Sequence, residues 1–341
     1  MAGNDGSVAD LGEWGVIAAL RARMPAGPLT SVGIGDDAAV VGVPSASVVA
    51  AVDMLIEGRH FLLDWSSAYD IGAKAAARSL ADIAAMGAVS TALLVGLAAP
   101  GTLPARWAAE LADGLAAEAT RAGAGIAGGD TARADSVTLA VTALGDLAGR
   151  PPVLRSGARP GDVVAVAGLL GHSAAGLALL MAGVLTPPAP TRTAAAPAPP
   201  PAPDEALAGL VVAHLRPAPL YDAGPEAALL GATAMIDVSD GLIADLGHIA
   251  ASSGVQINIS TPGLPIAPAL LKAAKVLPAS PGTTALEWAL TGGEDHALVA
   301  TFPPSATLPP RWHLIGEVRE GAGVTVDNAP HTGPGGWQHF S

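Results

Sequence analysis

Asp237 and Asp240 stand three residues apart in "MIDVSDGL", at the end of an apolar run and beside a hydroxyl and a glycine. The arrangement recurs as Asp36 and Asp37 in "GIGDDAAV", Asp53 in "VAAVDML", Asp130 in "AGGDTAR", and Glu294 with Asp295 in "TGGEDHAL". Asp82 adds another acid within the helical pattern "SLADIAAMGA". A single Asp after a strand is ordinarily a turn former or helix cap, and Asp240 suits the cap of a helix beginning at Gly241. Five such strand ends gathered on one concave face would repel one another unless a cation intervened. Mg2+ fits, because it takes a few carboxylates and completes its shell with water and substrate phosphates. No segment follows the calcium-loop pattern D-x-[DN]-x-[DN]-G-x₅-E. The chemistry such a set could do is to hold Mg2+ and, through it, phosphate-bearing ligands.

Other nucleotide signatures fail on context. "GIGDDA" at Gly33, Gly35 and Ala38 and "GAGIAG" at Gly123, Gly125 and Gly128 match the dinucleotide spacing, which requires a strand before and a helix after. The first leads into the strand-like "AVVGV", and the second follows a helix. None of the three lysines, Lys74, Lys272 and Lys275, follows a glycine, so there is no Walker A loop.

Composition narrows the partners. A net charge of -13, from 30 acidic against 17 basic residues, argues against nucleic acid or anionic membrane as a partner, since both depend on Lys and Arg neutralising phosphate. With no cysteine, thiol catalysis, disulfides and Cys-based metal sites are excluded. The opening "MAGNDGSVADLGEWG" lacks the basic and apolar regions of a signal peptide, so the cytoplasm is the expected location. Residues Val163 to Pro190 carry no Asp, Glu, Lys or Arg over a membrane-spanning length. Their "AGLLGHSAAG" centre instead reads as strand, glycine turn and helix in a globular core.

The elements that must position the acids alternate. A helix opens at Asp10, then come a strand "SVVAAVDML", a helix from about Tyr69 to Met86, the strand "STALLVGLA", a helix from Pro104 to Ala122, and the strand "SVTLAVTALG". "RPPVLRSGARPGD" reads as a junction, which divides 341 residues into an N-terminal α/β domain at 1–149 and a larger C-terminal α/β domain at 150–341. The second half repeats the mixture, with strands "DVVAVAG", "VQINIS" and "HALVATF" and helices at Ser173–Ala182, Asp240–Ser252 and Ala267–Ala274. The fold class is therefore α/β, or α+β. Residues 186–205, "TPPAPTRTAAAPAPPPAPDE", read as a disordered Pro/Ala-rich insertion within the second domain.

Taken in order, "LGEWGVI", "GIGDDAAV", "DMLIEGRHF", "DIGAKAAARSLADIAAMGA", "AGGDTAR", "RSGARPGD", "MIDVSDGL", "LTGGEDHAL", "HLIGEV" and "GWQHF" resemble the thiamine-monophosphate kinase family, of the aminoimidazole-ribonucleotide-synthetase-like ATP-binding superfamily. The resemblance runs from about residue 11 to 340. It implies in-line transfer of the ATP γ-phosphate to thiamine monophosphate, giving thiamine diphosphate and ADP. It also implies an N-terminal domain whose strands build a β-barrel in a homodimer, a C-terminal α/β domain, and ATP in a cleft between them. Carried over by motif, the metal ligands fall on Asp37, Asp53, Asp82, Asp130, Asp237 and Asp240. The ATP contacts fall on Gly129, Asp130, Arg155 and Ser239, and the substrate contacts on His60, Glu294 and Trp337. Several Mg2+ ions are implied, with a monovalent cation as a further candidate, and no nucleic-acid or membrane partner. The nucleophile is a phosphate oxygen, already largely ionised, so no general base is assigned.

Each carried-over residue also has a plainer role: Trp337 as a C-terminal packing anchor, His60 as a capped surface histidine, Arg155 as the partner of a surface acid. The chain departs from the family where Ala51 and Val52 precede Asp53, leaving only backbone carbonyls there, and where Ala112 replaces an aromatic near the adenine. Two other functions remain open: a sister ligase or synthetase of the superfamily, and a sensor that binds thiamine phosphates or ATP without turnover. The absence of cysteine weighs against a selenophosphate synthetase.

Overall fold

The computed structural model describes residues 7–34, 38–186, 204–278, 284–331, 333 and 335–337. Asp37 and nearly all of the 186–205 insertion lie outside these residues. One unit holds the described residues up to Ile83 together with Val89–Gly149; the other holds Ala84–Ala88, Arg150–Thr186 and the described residues from Asp204 onward.

The first unit begins at Ser7, whose hydroxyl accepts from the Asp10 N–H while the Asp10 carboxylate accepts from the Ser7 N–H. This capping box satisfies two donors that a helix end leaves orphaned, and it starts α1 (Val8–Arg21) two residues ahead of the expected Asp10. After the short pair β1 (Thr30–Val32) and β2 (Val40–Val41) come β3 (Val49–Ile56), α2 (Ala68–Ala85), β4 (Val89–Ala99), α3 (Ala105–Arg121), β5 (Gly125–Arg133) and β6 (Thr138–Asp146). Four of these strands form a sheet in the order β3-β6-β4-β5, with β4 and β5 parallel and the other pairs antiparallel. β3 and β5 are its edges, and among the described residues no closed barrel is formed.

Alternation along β3 decides what each face of that sheet does. Leu55 is paired with Leu139, and Leu139 with Leu97; all three are buried. Ser79 of α2 donates its hydroxyl to the Val141 carbonyl at 3.0 Å, which seats the helix on the sheet. The intervening β3 residues Val52 and Met54 are 64% and 47% exposed, so the opposite face is uncovered along this strand.

The second unit contains β7 (Val163–Ala167), α4 (His172–Met181), α5 (Glu205–Leu215), α6 (Ala223–Leu229), β8 (Ala234–Val238), α7 (Leu242–Ser253), β9 (Gln256–Ile259), α8 (Pro268–Val276), α9 (Ala285–Thr291), β10 (Ala297–Phe302), β11 (Trp312–Arg319), β12 (Gly323–Val326) and β13 (Ala329–Pro330). Its seven-stranded sheet runs β13-β12-β9-β11-β7-β10-β8, antiparallel except where β12 meets β9. β7, β8 and β10 are buried along almost their whole length, which is why their sequences are continuous apolar runs. Val166, Ile236, Leu246, Ile257, Val299 and Ile315 belong to one core between this sheet and α7. The uncharged stretch from Val163 divides into β7 and α4, and no helix among the described residues is long and apolar enough to cross a membrane.

Candidate active site

The turn after β8 is the centre of the site in the second unit. Asp237 is 3% exposed within β8, and its Oδ2 lies 3.0 Å from Nδ1 of the buried His296. The chain then leaves the strand through Ser239, Asp240 and Gly241 before entering α7. Gly241 has φ 131°, a conformation that L side chains rarely adopt, so the glycine of "SDG" is a backbone requirement. Asp240 does not cap α7 as its position suggested. The carboxylate one turn in, Asp245 Oδ2, instead accepts from the N–H of Ser239, Asp240 and Gly241 at 3.0, 3.1 and 3.1 Å.

The other faces of this turn meet two distant segments. The Ser239 carbonyl accepts from the Glu294 N–H at 2.8 Å, and the Asp240 carbonyl accepts from the Trp337 N–H at 2.9 Å. A Cβ on Gly293 would sit 2.6 Å from the Ser239 oxygen and one on Gly336 would sit 2.3 Å from the Asp240 oxygen, so the glycines flanking Glu294 and Trp337 permit this approach. Ser239, Asp240, Glu294 and Trp337, carried by three separated motifs, are thus joined backbone to backbone. Glu294 and His296 have φ 63° and 53°, strained values for non-glycine residues of the kind that concentrate at functional sites.

Behind Glu294 stands a buried polar group that sequence reasoning did not assemble. Ser173 Oγ and His214 Nδ1 are 3.0 Å apart, and Glu294 Oε2 lies 4.0 Å from the same ring nitrogen. Asp295 accepts from the N–H of Gly171 at 2.5 Å and of Ser173 at 2.8 Å, capping α4 from outside the helix. Burial pushes its carboxyl up to about 7, against the pull of those N–H groups. Burial, then the charge of Asp237, likewise pushes Asp245 up to about 7. His172, beside Ser173, is held below the usual imidazole range by burial. Asp245 had a local signal, an acid in the first turn of a helix; His214 had none, because nothing local brings α5 to Glu294.

Arg155 is exposed in the segment leading to β7, where Ser253 Oγ donates to its carbonyl at 3.3 Å and accepts from Gly157 and Ala158. In the first unit the assigned residues fall into separate groups. Asp53 Oδ1 lies 3.8 Å from an Arg78 terminal nitrogen on the α2-covered face, and Asp82 is one turn beyond Arg78 on the same helix. Asp53 Oδ2 is buried without a hydrogen-bond partner among the described residues. Gly129 and Asp130 lie on the far edge strand, β5. Pairing carries Asp53 through Val141 and Val95 to Gly129, so Asp130, one residue along, faces the uncovered side of the sheet. Three strand spacings, about 14 Å, separate the two edges. Among the described residues no three His, Asp or Glu side chains converge tightly enough to hold a metal by themselves.

His60 sits in the turn after β3. Its Nδ1 accepts from the Ile56 N–H at 3.0 Å, which leaves the ring proton on Nε2, and the buried Lys74 donates to its carbonyl at 3.2 Å.

The mixed four-stranded sheet and the seven-stranded α/β unit are the architecture of the AIR-synthase-like class. Residues 35–147 match the family "AIR synthase related protein, N-terminal domain". Over 334 residues, 97% of this chain and 92% of the relative, the sequence is 48% identical to the thiamine-monophosphate kinase of Mycobacterium tuberculosis. The crystal structure of thiamine-monophosphate kinase from Stenotrophomonas maltophilia K279a superposes with a TM-score of 0.79 at 33% identity, covering 94% of this chain and 98% of that one. AaThiL complexed with AMPPCP and TMP is similar at a TM-score of 0.75 and 31% identity, covering 97% and 98%. The chain belongs to the thiamine-monophosphate kinase family.

Proposed function

We propose that this chain transfers the γ-phosphate of ATP to thiamine monophosphate. A phosphate oxygen of thiamine monophosphate attacks the γ-phosphorus in line, the bond to the β-phosphate oxygen breaks, and ADP leaves with that electron pair. The attacking oxygen carries no proton that must first be removed, so the protein's task is positioning and charge neutralisation. The observation that carries this reading is the backbone clasp that joins Ser239, assigned to ATP, and Asp240, assigned to metal, to Glu294 and Trp337, assigned to the substrate.

Gly129, Asp130, Arg155 and Ser239 serve ATP in this reading. Arg155 brings positive charge to its phosphates and Ser239 a hydrogen bond. His60 and Glu294 hold thiamine monophosphate, with the Trp337 indole against its aromatic ring. The donor set suits Mg2+: every assigned ligand is a carboxylate, and the buried Asp53 Oδ2 lacks a hydrogen-bond partner among the described residues. Asp37, Asp53, Asp82, Asp130, Asp237 and Asp240 would hold such ions, with shells completed by phosphate and water. Bound there, Mg2+ would neutralise charge on the transferring group. A monovalent cation is a further candidate.

We also infer that residues 1–149 form an N-terminal ATP-binding α/β domain, that residues 150–341 form a C-terminal α/β domain, and that the reaction is cytoplasmic. Two copies pair through the uncovered sheet face, where Val52 and Met54 are exposed, into the barrel that the resemblance implies. Incubation with ATP, Mg2+ and thiamine monophosphate should give thiamine diphosphate by mass, and aminoimidazole precursors should not drive ATP consumption. Asp130→Asn should abolish the product while leaving the fold intact, because Asp130 is exposed and, among the described residues, its side chain accepts from the neighbouring Thr131 N–H. No product from the unaltered protein would end the reading.

A further inference from the structure

Asp245 is 2% exposed, yet it stands beside two other acids of the same turn region, Asp237 and Asp240. A carboxylate buried next to like charges is costly, and a leucine there would relieve the repulsion. Three backbone hydrogen bonds, all to one oxygen, are what the carboxylate gains in return. Those N–H groups belong to the turn that leads from β8 into the 12-residue helix α7. Here the protein's own carboxylate occupies them. The two carbonyls of the turn are turned to Glu294 and Trp337.

We propose that Asp245 is a positioning residue that holds Ser239 and Asp240 and, through their carbonyls, Glu294 and Trp337, so that one buried oxygen sets the nucleotide and substrate contacts together. The inference rests on the kinase reading for the roles of those four residues. It follows that the acceptor oxygen matters and the negative charge does not: asparagine can place an oxygen on the same three donors, and alanine cannot.

The test compares wild type, Asp245→Asn and Asp245→Ala by KM for ATP, KM for thiamine monophosphate, and backbone amide exchange. Alanine should speed exchange at residues 239–241 and also at Glu294 and Trp337. It should raise both KM values together by about tenfold or more. Asparagine should restore slow exchange and near-normal KM values, a rescue that a role in charge would not give. Unchanged KM values in the alanine variant, a rise in only one of them, or an asparagine variant as impaired as alanine would overturn the proposal. Should the alanine variant fail to fold, asparagine decides alone, with KM values near wild type in support and both raised against. If the unaltered protein makes no thiamine diphosphate, the kinase reading fails by itself, and exchange at Glu294 and Trp337 still decides whether Asp245 holds them.

Discussion

The Trp337 N–H donates to the Asp240 carbonyl at 2.9 Å while the Trp337 residue itself is 62% exposed, so the backbone is fixed and the indole stands free of the core. A packing anchor would be buried; a ring held out on a fixed backbone suits stacking on a ligand. Trp337→Ala is therefore expected to raise the KM for thiamine monophosphate by roughly tenfold, from about 1–2 kcal/mol of lost ring contact. The KM for ATP and the melting temperature should stay close to wild type, as is usual for exposed substitutions. Steady-state kinetics in each substrate, with a thermal melt, checks both halves.

Asp295 predicts a pH dependence of stability. Its folded-state pKa of about 7 lies above the ordinary 3.8, so between those values the folded protein binds more protons than the unfolded chain. Stability from this group is full below about pH 4 and is lost as pH rises through about 7. In ligand-free protein, wild type should therefore lose stability relative to Asp295→Asn between pH 5 and 7.5, since the amide cannot ionise. Urea unfolding of both proteins at the two pH values measures the difference; parallel behaviour would show that Asp295 does not titrate in that window.

The strands and helices were legible where burial was simple. The strand "SVVAAVDML" and the helix from Tyr69 appear within a few residues of their expected bounds, because continuous apolar runs and 3.6-residue periodicity have few other solutions. A strand ending at Asp130 was expected, but β5 runs on to Arg133, and its bounds were obscured because glycines make up three of its first five residues. At Gly129 a Cβ would come within 2.1 Å of the Val95 oxygen, so that glycine reflects strand packing invisible in one segment alone. α5, α6 and α9 were missed; the first two follow Pro-rich sequence and the last is only 7 residues long. The acids of the site were visible as residue types. The clasp among Asp240, Asp245 and Trp337 was not, because each of its hydrogen bonds has a backbone partner that residue type does not reveal, and one spans 97 residues.

In the first unit, Asp53 and Arg78 set up the last prediction. The pair is largely buried, with side-chain exposures of 26% and 12%, and Asp53 Oδ2 has no hydrogen-bond partner among the described residues. Removing the cation leaves a carboxylate with less to offset its burial, which for a buried pair costs about 3–5 kcal/mol at most; the 3.8 Å separation and the partial exposure put this pair below that range. Arg78→Met, which keeps much of the apolar stem, should therefore lower the melting temperature in metal-free buffer. A divalent cation at Asp53 would replace the missing charge, so added Mg2+ should recover more of the melting temperature in the variant than it adds to wild type. Melts with and without Mg2+, in the absence of nucleotide, provide the comparison. An equal Mg2+ response in both proteins would separate Asp53 from metal binding even if the variant's turnover were reduced.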